Sequence, residues 1–526
     1  MKKHAFPWMV FSLLCGILAS LPLLSEKIPF LSFILFVPYF LFLRTRDGVP
    51  TLRFYYLSGL FFFFGYYGGA FSFFSAMYPL DFAGLGTLES IAVLFAAMVL
   101  LPLFQAWFSA FAVFLLGLLH KKGAFCFPLA FSLTLSALYT LFAFAQNFTW
   151  AGVPWANTAV GIASSPLLIQ GASVFGSAFL IFFIVFVNAA LAEGFVAFRE
   201  CKSKSALICL VCAVCLLLSQ MLFGGIRLLT EKSDGEEIRV AMIQGCAPAT
   251  SGVSILRHLR ACEDLALAAS KEDVDLMLWS ESVITYALES DEARQTFFAN
   301  LAKQTGAMQV VGAFSNEQTP NGEEGYYNAL FLFLPDGTMH EETYQKQRPV
   351  PFGEYVPMAW LFERLIPALT EISMLSRGTN AGEESVVLHT KTAELGGLIC
   401  FDSIYPALAR ESVRNGAELI LLSTDDSWFD GSFGKSLHMR HAALRAVENA
   451  RNVVRTGNTG QSGVLNSHGA LVYAIPMDES AYGVFTVSLS NETTLYTALG
   501  DVFPCLCLAF LVFLPYYTHK KTSSKE

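Results

Sequence analysis

The chain has 526 residues, of which 54% are hydrophobic and only 15% are charged. Soluble globular proteins carry about 25% charged residues, so the composition excludes an ordinary soluble enzyme and a disordered chain. The net charge of −9, from 34 Lys and Arg against 43 Asp and Glu, argues against nucleic acid as a partner.

Apolar residues are concentrated in long runs up to Gly225 and in one further run near the carboxyl end. A helix that crosses the hydrocarbon core of a bilayer needs about 20 predominantly apolar residues. The runs that approach or exceed this length are 7–24, 28–43, 53–75, 89–118, 126–146, 166–192, 206–225 and 501–517. The pattern predicts a polytopic α-helical membrane domain over 1–228, and a last transmembrane helix with a short tail over 496–526.

Short loops that carry Lys and Arg alternate with short loops that almost lack them. The basic positions are Lys2, Lys3, Arg44, Arg46, Arg53, Lys121, Lys122, Arg199, Lys202, Lys204, Lys520, Lys521 and Lys525. Because basic residues are enriched in cytoplasmic loops, both chain ends are predicted to be cytoplasmic. The large segment before the last span is then on the opposite side, which in a bacterium is the periplasm.

The segment 229–495 has the composition of a soluble domain, and strand patterns alternate with helix patterns along it. Strands are predicted at 237–245, 274–282, 307–315, 327–335, 396–403, 417–429, 452–457, 462–466 and 482–489. Helices are predicted near 256–267, 291–305 and 435–450. This alternation indicates an α/β layered fold, in which functional residues collect at the carboxyl ends of strands.

Three residues in this domain have the chemistry for acyl transfer. Glu281 and Cys400 stand at predicted strand ends, and Lys346 lies in a loop punctuated by Pro and Gly. A cysteine nucleophile needs a base such as a carboxylate, and an ammonium can stabilise the oxyanion that follows its attack. Taken singly, each residue has an ordinary interpretation. The cysteine is typical of a core residue, and the two charged residues are typical of solvated loop residues.

The sequence segments around these residues support the combination. The segments WSES, YQKQRPVPFGEYVP, GGLICFDSIYP and ENARNVVRTGNTG resemble those of the nitrilase, or carbon–nitrogen hydrolase, superfamily. With seven apolar runs before them and one after, nearly the whole chain resembles the apolipoprotein N-acyltransferase family. The resemblance implies a nitrilase-like α-β-β-α sandwich for the catalytic domain.

The resemblance also implies roles by position. Glu281 matches the general base, Lys346 the oxyanion-stabilising lysine and Cys400 the nucleophile. Glu354 matches a supporting glutamate, eight residues after the lysine. Two aromatic residues match positions near the substrate pocket, namely Trp428 and Phe401.

Three positions depart from the family's usual pattern. Asp402 stands where Glu is common, Phe401 where Tyr is common, and Asp425 where Asn is common. These changes of size or polarity leave the three central residues intact and put the assignments around them in doubt.

Other features have two interpretations each. His438 and His441 are spaced to face a metal from one helix, although a structural role is favoured because no third ligand lies nearby in the sequence. A Cys400–His438 pair is an alternative dyad. The apolar segment 357–376 is either a core helix or an amphipathic arm that lies on the bilayer.

The predicted function is transfer of an acyl chain from a phospholipid, through a thioester on Cys400, to the α-amine of a diacylated apolipoprotein. The resemblance implies no metal and no organic cofactor. The predicted location is the bacterial inner membrane, with the catalytic domain in the periplasm. One alternative is a membrane-tethered amidase that uses water. The other is a non-enzymatic transporter or scaffold, which the scarcity of ionisable residues in the spans disfavours.

Overall fold

The computed structural model describes residues 5–45, 50–80, 85–125, 127–148, 152–230, 235–247, 254–318, 322, 324–365 and 378–523. The chain divides into two compact units. One comprises Met1–Ser75, Val93–Thr230 and Leu499–Glu526, and the other comprises Ala76–Ala92 and Glu231–Ala498. The first unit is helical, and the second contains both sheets.

The helices, in chain order, are α1 Ala5–Leu24, α2 Val37–Arg44, α3 Leu52–Ala70, α4 Thr87–Phe95, α5 Leu101–Lys121, α6 Ala130–Ala145, α7 Pro166–Ile169, α8 Ala172–Arg199, α9 Ser203–Leu229, α10 Ile255–Ala269, α11 Glu292–Thr305, α12 Ala359–Leu365, α13 Pro406–Arg414, α14 Gly434–Asn449, α15 Leu495–Leu499 and α16 Val502–Ser523. The strands are β1 Glu237–Gln244, β2 Leu276–Trp279, β3 Met308–Gln318, β4 Glu324–Phe333, β5 Tyr344–Gln345, β6 Val387–His389, β7 Glu394–Ile399, β8 Leu419–Thr424, β9 Val453–Gly457, β10 Gly463–Leu465, β11 Leu471–Ala474 and β12 Ala481–Ser488.

Each of the eight predicted apolar runs contains a helix. Within the described residues, four helical segments have the length and hydropathy to cross a membrane: Pro7–Leu24, Thr87–Lys121, Ala172–Arg199 and Ser203–Leu229. Two shorter apolar helices occupy Pro29–Arg44 and Val502–Leu514. These helices confirm the helical membrane domain, whereas the exact number of spans stays a prediction.

Glycine lets two of the apolar helices approach closely. A Cβ on Gly16 of α1 would lie 1.9 Å from the Phe62 carbonyl oxygen, and one on Gly65 of α3 would lie 2.2 Å from the Leu13 carbonyl oxygen. The two helices therefore pack backbone against backbone, a contact that small residues permit between apolar helices.

The second unit is a sandwich of two six-stranded sheets. The first sheet has the order β12-β1-β2-β3-β4-β5, and the second has the order β11-β10-β9-β8-β7-β6. In the centre of each sheet three strands run parallel, namely β1, β2 and β3 in one and β7, β8 and β9 in the other. Parallel neighbours end at the same edge of a sheet, so residues that follow β2, β7 and β8 can meet.

Side chains that alternate along each strand face two different hydrophobic cores, which separate the layers of the sandwich. In β1, Val240 and Met242 join the core between the sheets, which also includes Leu395 and Leu421 of the second sheet. The intervening Ala241 faces a separate core beneath α10 and α11. Helices α13 and α14 contact the second sheet. The result is the α-β-β-α sandwich that the resemblance implied.

Candidate active site

The structure brings Glu281, Lys346, Glu354 and Cys400 together, although the sequence separates the first from the last by more than one hundred residues. Glu281 follows β2, Lys346 follows β5, and Cys400 follows β7. The Lys346 Nζ atom lies 2.9 Å from Glu281 Oε1 and 2.9 Å from Glu354 Oε2. One ammonium therefore links Glu281, near the end of β2, to Glu354 in the loop after β5.

This lysine is almost completely enclosed. Its side chain is only 2% exposed, against 7% for Glu281 and 19% for Glu354. Burial lowers the pKa of Lys346, but attraction by Glu281 and Glu354 outweighs it and raises the pKa well above the ordinary value. The lysine is therefore a fixed positive charge, already desolvated and aimed into the site.

Glu281 is held in place by three donors. Its Oε1 atom accepts from Lys346 and from Asn328 Nδ2 at 2.8 Å, and its Oε2 atom accepts from the main-chain N–H of Asp425 at 2.9 Å. The last bond joins the end of β2 in one sheet to the end of β8 in the other. The position of the carboxylate thus depends on both sheets.

Asn328 is a site residue that the sequence analysis missed. Its Nδ2 atom donates to Glu281 Oε1 at 2.8 Å and to Glu354 Oε1 at 3.1 Å, and the residue is 2% exposed. The signal in the sequence is a single amide inside the apolar strand YYNALFLF. A buried polar residue in a strand needs partners, and here the partners are the two glutamates.

Replacing Asn328 by aspartate should damage the site more than replacing it by alanine. Both variants lose the donor, but aspartate adds a third carboxylate in contact with the two glutamates. Repulsion between these like charges should raise the activation free energy by more than about 1.4 kcal/mol, which is tenfold in rate. We therefore expect Asn328→Asp to turn over at least about tenfold more slowly than Asn328→Ala at neutral pH.

The pH dependence separates the two variants further. The glutamates raise the pKa of the introduced carboxyl, which is therefore neutral below that pKa and charged above it. Activity of Asn328→Asp should recover as the pH falls, relative to Asn328→Ala at each pH. Equal rates for the two variants across the pH range would show that Asn328 does not act through the charges of the glutamates.

A tight turn holds Glu354 against the lysine. The Val350 N–H donates to Glu354 Oε2 at 2.7 Å, and the Glu354 N–H donates back to the Val350 carbonyl at 2.8 Å. Both the N–H and the hydroxyl of Thr379 donate to the Glu354 carbonyl at 2.8 Å. These bonds within and next to the Pro-rich loop hold the second carboxylate against Lys346.

Cys400 begins a short turn directly after β7 and is half-buried. Its φ angle of +47° lies in the left-handed region, which costs a residue with a side chain roughly 1–2 kcal/mol. Burial and the neighbouring Glu281 raise the pKa of the Cys400 thiol well above its ordinary value, while Lys346 acts in the opposite direction. The thiol is therefore protonated in the resting enzyme, and the nucleophilic thiolate forms only when a base removes the proton.

Asp402 connects the nucleophile turn to the lysine loop. Its Oδ2 atom accepts from the Tyr344 hydroxyl at 2.9 Å and the Ile399 N–H at 3.1 Å, and its Oδ1 atom accepts from the Arg348 N–H at 2.8 Å. Burial raises the pKa of Asp402 to about 6, although Lys346 and these donors oppose the shift. Each carboxylate oxygen of Asp402 therefore accepts at least one hydrogen bond.

Asp425 also has defined contacts. Its Oδ1 atom accepts from the Ser427 N–H at 2.9 Å, and its Oδ2 atom accepts from Asn458 Nδ2 at 3.3 Å. Burial raises the pKa of Asp425 to about 6. Its main-chain N–H, which any residue except proline would supply, donates to Glu281.

The structure favours a structural role for His438. Its Nδ1 atom lies 2.8 Å from Asp426 Oδ1, and its Nε2 atom lies 2.9 Å from Ser403 Oγ. Its contact with Cys400 is to the main-chain carbonyl oxygen, at 3.1 Å. No group of three His, Cys, Asp or Glu residues in the described parts of the chain could hold a metal ion.

The two aromatic candidates differ in burial. Phe401 is 7% exposed, and its ring meets the Tyr405 ring edge-on with centroids 5.5 Å apart. Trp428 is half-buried in a short turn, Ser427–Phe429, after β8. Their roles in substrate binding stay predictions.

The segment 357–376 is described only in part. Helix α12 covers Ala359–Leu365, and Trp360 within it is 65% exposed. Residues 366–376 lie outside the described residues. The choice between a core helix and a bilayer-bound arm therefore stays open for the segment as a whole.

Two family models match the chain. A model described as carbon–nitrogen hydrolase matches residues 239–494, and one described as apolipoprotein N-acyltransferase N-terminal domain matches residues 15–190. The first match contains Glu281, Lys346, Glu354 and Cys400, and the second contains most of the apolar helices before the sandwich.

Relatives are similar over most of the chain. A protein of Geobacter metallireducens named apolipoprotein N-acyltransferase is 27% identical over 95% of this chain and 93% of its own. One of Rickettsia prowazekii with the same name is 24% identical over 73% of this chain and 76% of its own. A crystal structure of a carbon–nitrogen hydrolase from Helicobacter pylori is 17% identical and covers 48% of this chain and 89% of its own, with a TM-score of 0.38.

Proposed function

The chain belongs to the apolipoprotein N-acyltransferase family of carbon–nitrogen hydrolases, and from this we propose that it moves an acyl chain from a phospholipid to an apolipoprotein. The acceptor is the α-amine of the diacylglyceryl-cysteine at the apolipoprotein N-terminus. The observation that carries the proposal is the buried Lys346 between Glu281 and Glu354, in a chain that also has helices long and apolar enough to cross a membrane.

The first half-reaction makes a thioester. Glu281 takes the proton of the Cys400 thiol, and the sulfur attacks the ester carbonyl carbon of the phospholipid. Negative charge moves from the Glu281 carboxylate to the oxyanion, and Lys346 stays paired with Glu354 while it stabilises that oxyanion. The tetrahedral intermediate collapses, the ester C–O bond breaks, and the lysophospholipid leaves with the proton returned by Glu281.

The second half-reaction transfers the chain to nitrogen. The α-amine attacks the thioester carbonyl carbon, and Glu281 accepts the proton that the nitrogen loses. Collapse of the second tetrahedral intermediate forms the amide, breaks the C–S bond and returns the proton to sulfur. Because one nucleophile serves both steps in turn, the site never has to hold two bulky lipids together.

An amidase that uses water would employ the same central residues, so these residues alone do not decide between the two reactions. The apolar helices support the acyltransferase, because a water-soluble amide needs no access from a bilayer. A transporter is less well supported. Glu193 of α8 is buried, but its Oε2 atom accepts from the Ser132 N–H at 3.2 Å and hydroxyl at 2.6 Å, so it caps α6.

Mass spectrometry of a diacylated lipopeptide tests the proposal directly. After incubation with the purified protein and phospholipid, the lipopeptide should gain a third, amide-linked acyl chain. A mixture in which phospholipid is cleaved only to free fatty acid, with the lipopeptide unchanged, would identify a hydrolase instead.

We also propose that the sandwich lies in the periplasm and the helices in the inner membrane. Basic residues of the short loops support this orientation. Alkaline phosphatase fused after Ser233 should then be active, because this reporter works only outside the cytoplasm. The matched control is the same reporter fused after Lys122, which should be made stably and remain inactive. The reverse result would overturn the orientation and with it the lipoprotein substrate.

A further inference from the structure

A network of buried polar side chains lies behind Cys400, and the proposed mechanism does not yet use it. Asp426 is at its centre, with Oδ1 lying 2.8 Å from His438 Nδ1 and Oδ2 accepting from Arg455 at 2.6 Å. All three residues are completely buried. Burial opposes ionisation of Asp426, but Arg455 and His438 outweigh it and lower the pKa, so that a permanent charge holds the imidazole.

The other side of the imidazole reaches the backbone of the nucleophile. His438 Nε2 lies 3.1 Å from the Cys400 carbonyl oxygen, and the Ser403 hydroxyl donates to the same oxygen at 2.8 Å. A carbonyl oxygen can only accept, so the tautomer with a hydrogen on Nε2 makes this contact a hydrogen bond. Two donors therefore fix the direction of this one carbonyl.

The direction of that carbonyl sets the direction of the next N–H. A peptide unit is planar and trans, so the Cys400 C=O and the Phe401 N–H point in opposite directions. We propose that His438, held by Asp426, is a positioning residue that anchors the Cys400 carbonyl and so aims the Phe401 N–H at the oxyanion. This inference rests on the proposed function, and it gives Lys346 a main-chain partner in stabilising the negative charge.

The conformation of Cys400 explains why an anchor is needed. A left-handed φ of +47° at a residue with a side chain persists only where the surroundings over-determine it. If the peptide after Cys400 rotated, its carbonyl oxygen would face the developing negative charge in place of the N–H. His438 and Ser403 oppose this rotation, because both would lose their acceptor.

Two substitutions at the same position separate anchoring from packing. Glutamine can extend an amide donor to the place of Nε2, whereas the shorter asparagine fills the place of Nδ1 and leaves the Cys400 carbonyl without that donor. With phospholipid as the only substrate, His438→Asn should form the Cys400 thioester about 10²-fold more slowly, the usual effect of losing one oxyanion donor. His438→Gln should stay within about tenfold of the parent, and KM for phospholipid should change little in either variant.

Alkylation of Cys400 by iodoacetamide is a control for general disruption of the site, because such disruption would change the alkylation rate as well as the acylation rate. Alkylation forms no oxyanion, so its rate at Cys400 should be unaltered in His438→Asn, as followed by peptide mass spectrometry. Ser403→Ala removes the second donor with a minimal loss of volume. It should lower the acylation rate about tenfold and leave alkylation unaltered.

Parallel loss of acylation and alkylation, equal loss in the Asn and Gln variants, or full acylation in both His438→Asn and Ser403→Ala would overturn the inference. If His438→Asn does not fold, the ratio of acylation to alkylation in Ser403→Ala decides. If the parent protein itself forms no thioester, the proposed function fails. Measurements on the variants cannot give this result, so the two failures are distinguishable.

Discussion

Replacing Cys400 by alanine should abolish both half-reactions and leave the fold intact. With phospholipid and no acceptor, the parent protein should gain the mass of one acyl chain on the peptide that contains Cys400, and added lipopeptide should remove it. The alanine variant should show neither event, because the sulfur that accepts the chain is absent. Intact-protein and peptide mass spectrometry measure both steps.

Cys246 is a matched control for this experiment. It is also a half-buried cysteine of the sandwich, and its φ of +52° is again left-handed. Cys246→Ala should acquire and discharge the acyl chain like the parent protein. Triacylated product formed by Cys400→Ala at a rate near the parent's would mean direct transfer between the two lipids, without an acyl-enzyme.

Replacing Lys346 by methionine should lower turnover by on the order of 10²–10³, the effect expected for loss of an oxyanion donor. Methionine keeps most of the length of the side chain but not the charge, so the oxyanion develops beside Glu354 with nothing to offset it. The variant should also be less stable, because a buried carboxylate that loses its partner costs about 3–5 kcal/mol. Turnover should therefore be measured at a temperature where circular dichroism shows both proteins folded.

Lys435 distinguishes loss of catalysis from loss of a buried charge. It is 4% exposed, and its Nζ atom also contacts two carboxylates, those of Asp430 at 2.6 Å and Asp478 at 2.5 Å. Lys435→Met should destabilise the protein less, because Asp430 and Asp478 are 38% and 59% exposed and stay hydrated, and it should keep turnover within about tenfold of the parent. Equal losses of turnover in the two methionine variants would reduce Lys346 to a structural ion pair.

The local sequence determined the helices, most strands and the position of the reactive groups within them. Apolar runs and alternating strands are properties of neighbouring residues, so the helical membrane unit and the α/β sandwich were both predictable. Glu281 and Cys400 were predicted at strand ends. In the structure Glu281 stands two residues beyond β2, and Cys400 directly follows β7. The loop motif around Lys346 and Glu354 identified the other two residues by resemblance.

Short strands and two short helices escaped prediction. Strands β5, β6 and β11 have two to four residues, and helices α13 and α15 have nine and five. A strand of two residues, such as Tyr344–Gln345, has no periodicity of its own. It becomes a strand because it pairs with β4.

The environment of each reactive group was decided only by tertiary structure. Asn328 meets Glu281 and Glu354 because β4 and β5 are neighbours in one sheet, and Asp425 reaches Glu281 because two sheets meet at one edge. The left-handed Cys400 and its anchor on His438 have the same origin. Contacts between residues far apart in the chain follow from strand order and sheet packing, which no local pattern encodes, whereas the types of residue that make the chemistry were already visible in the sequence.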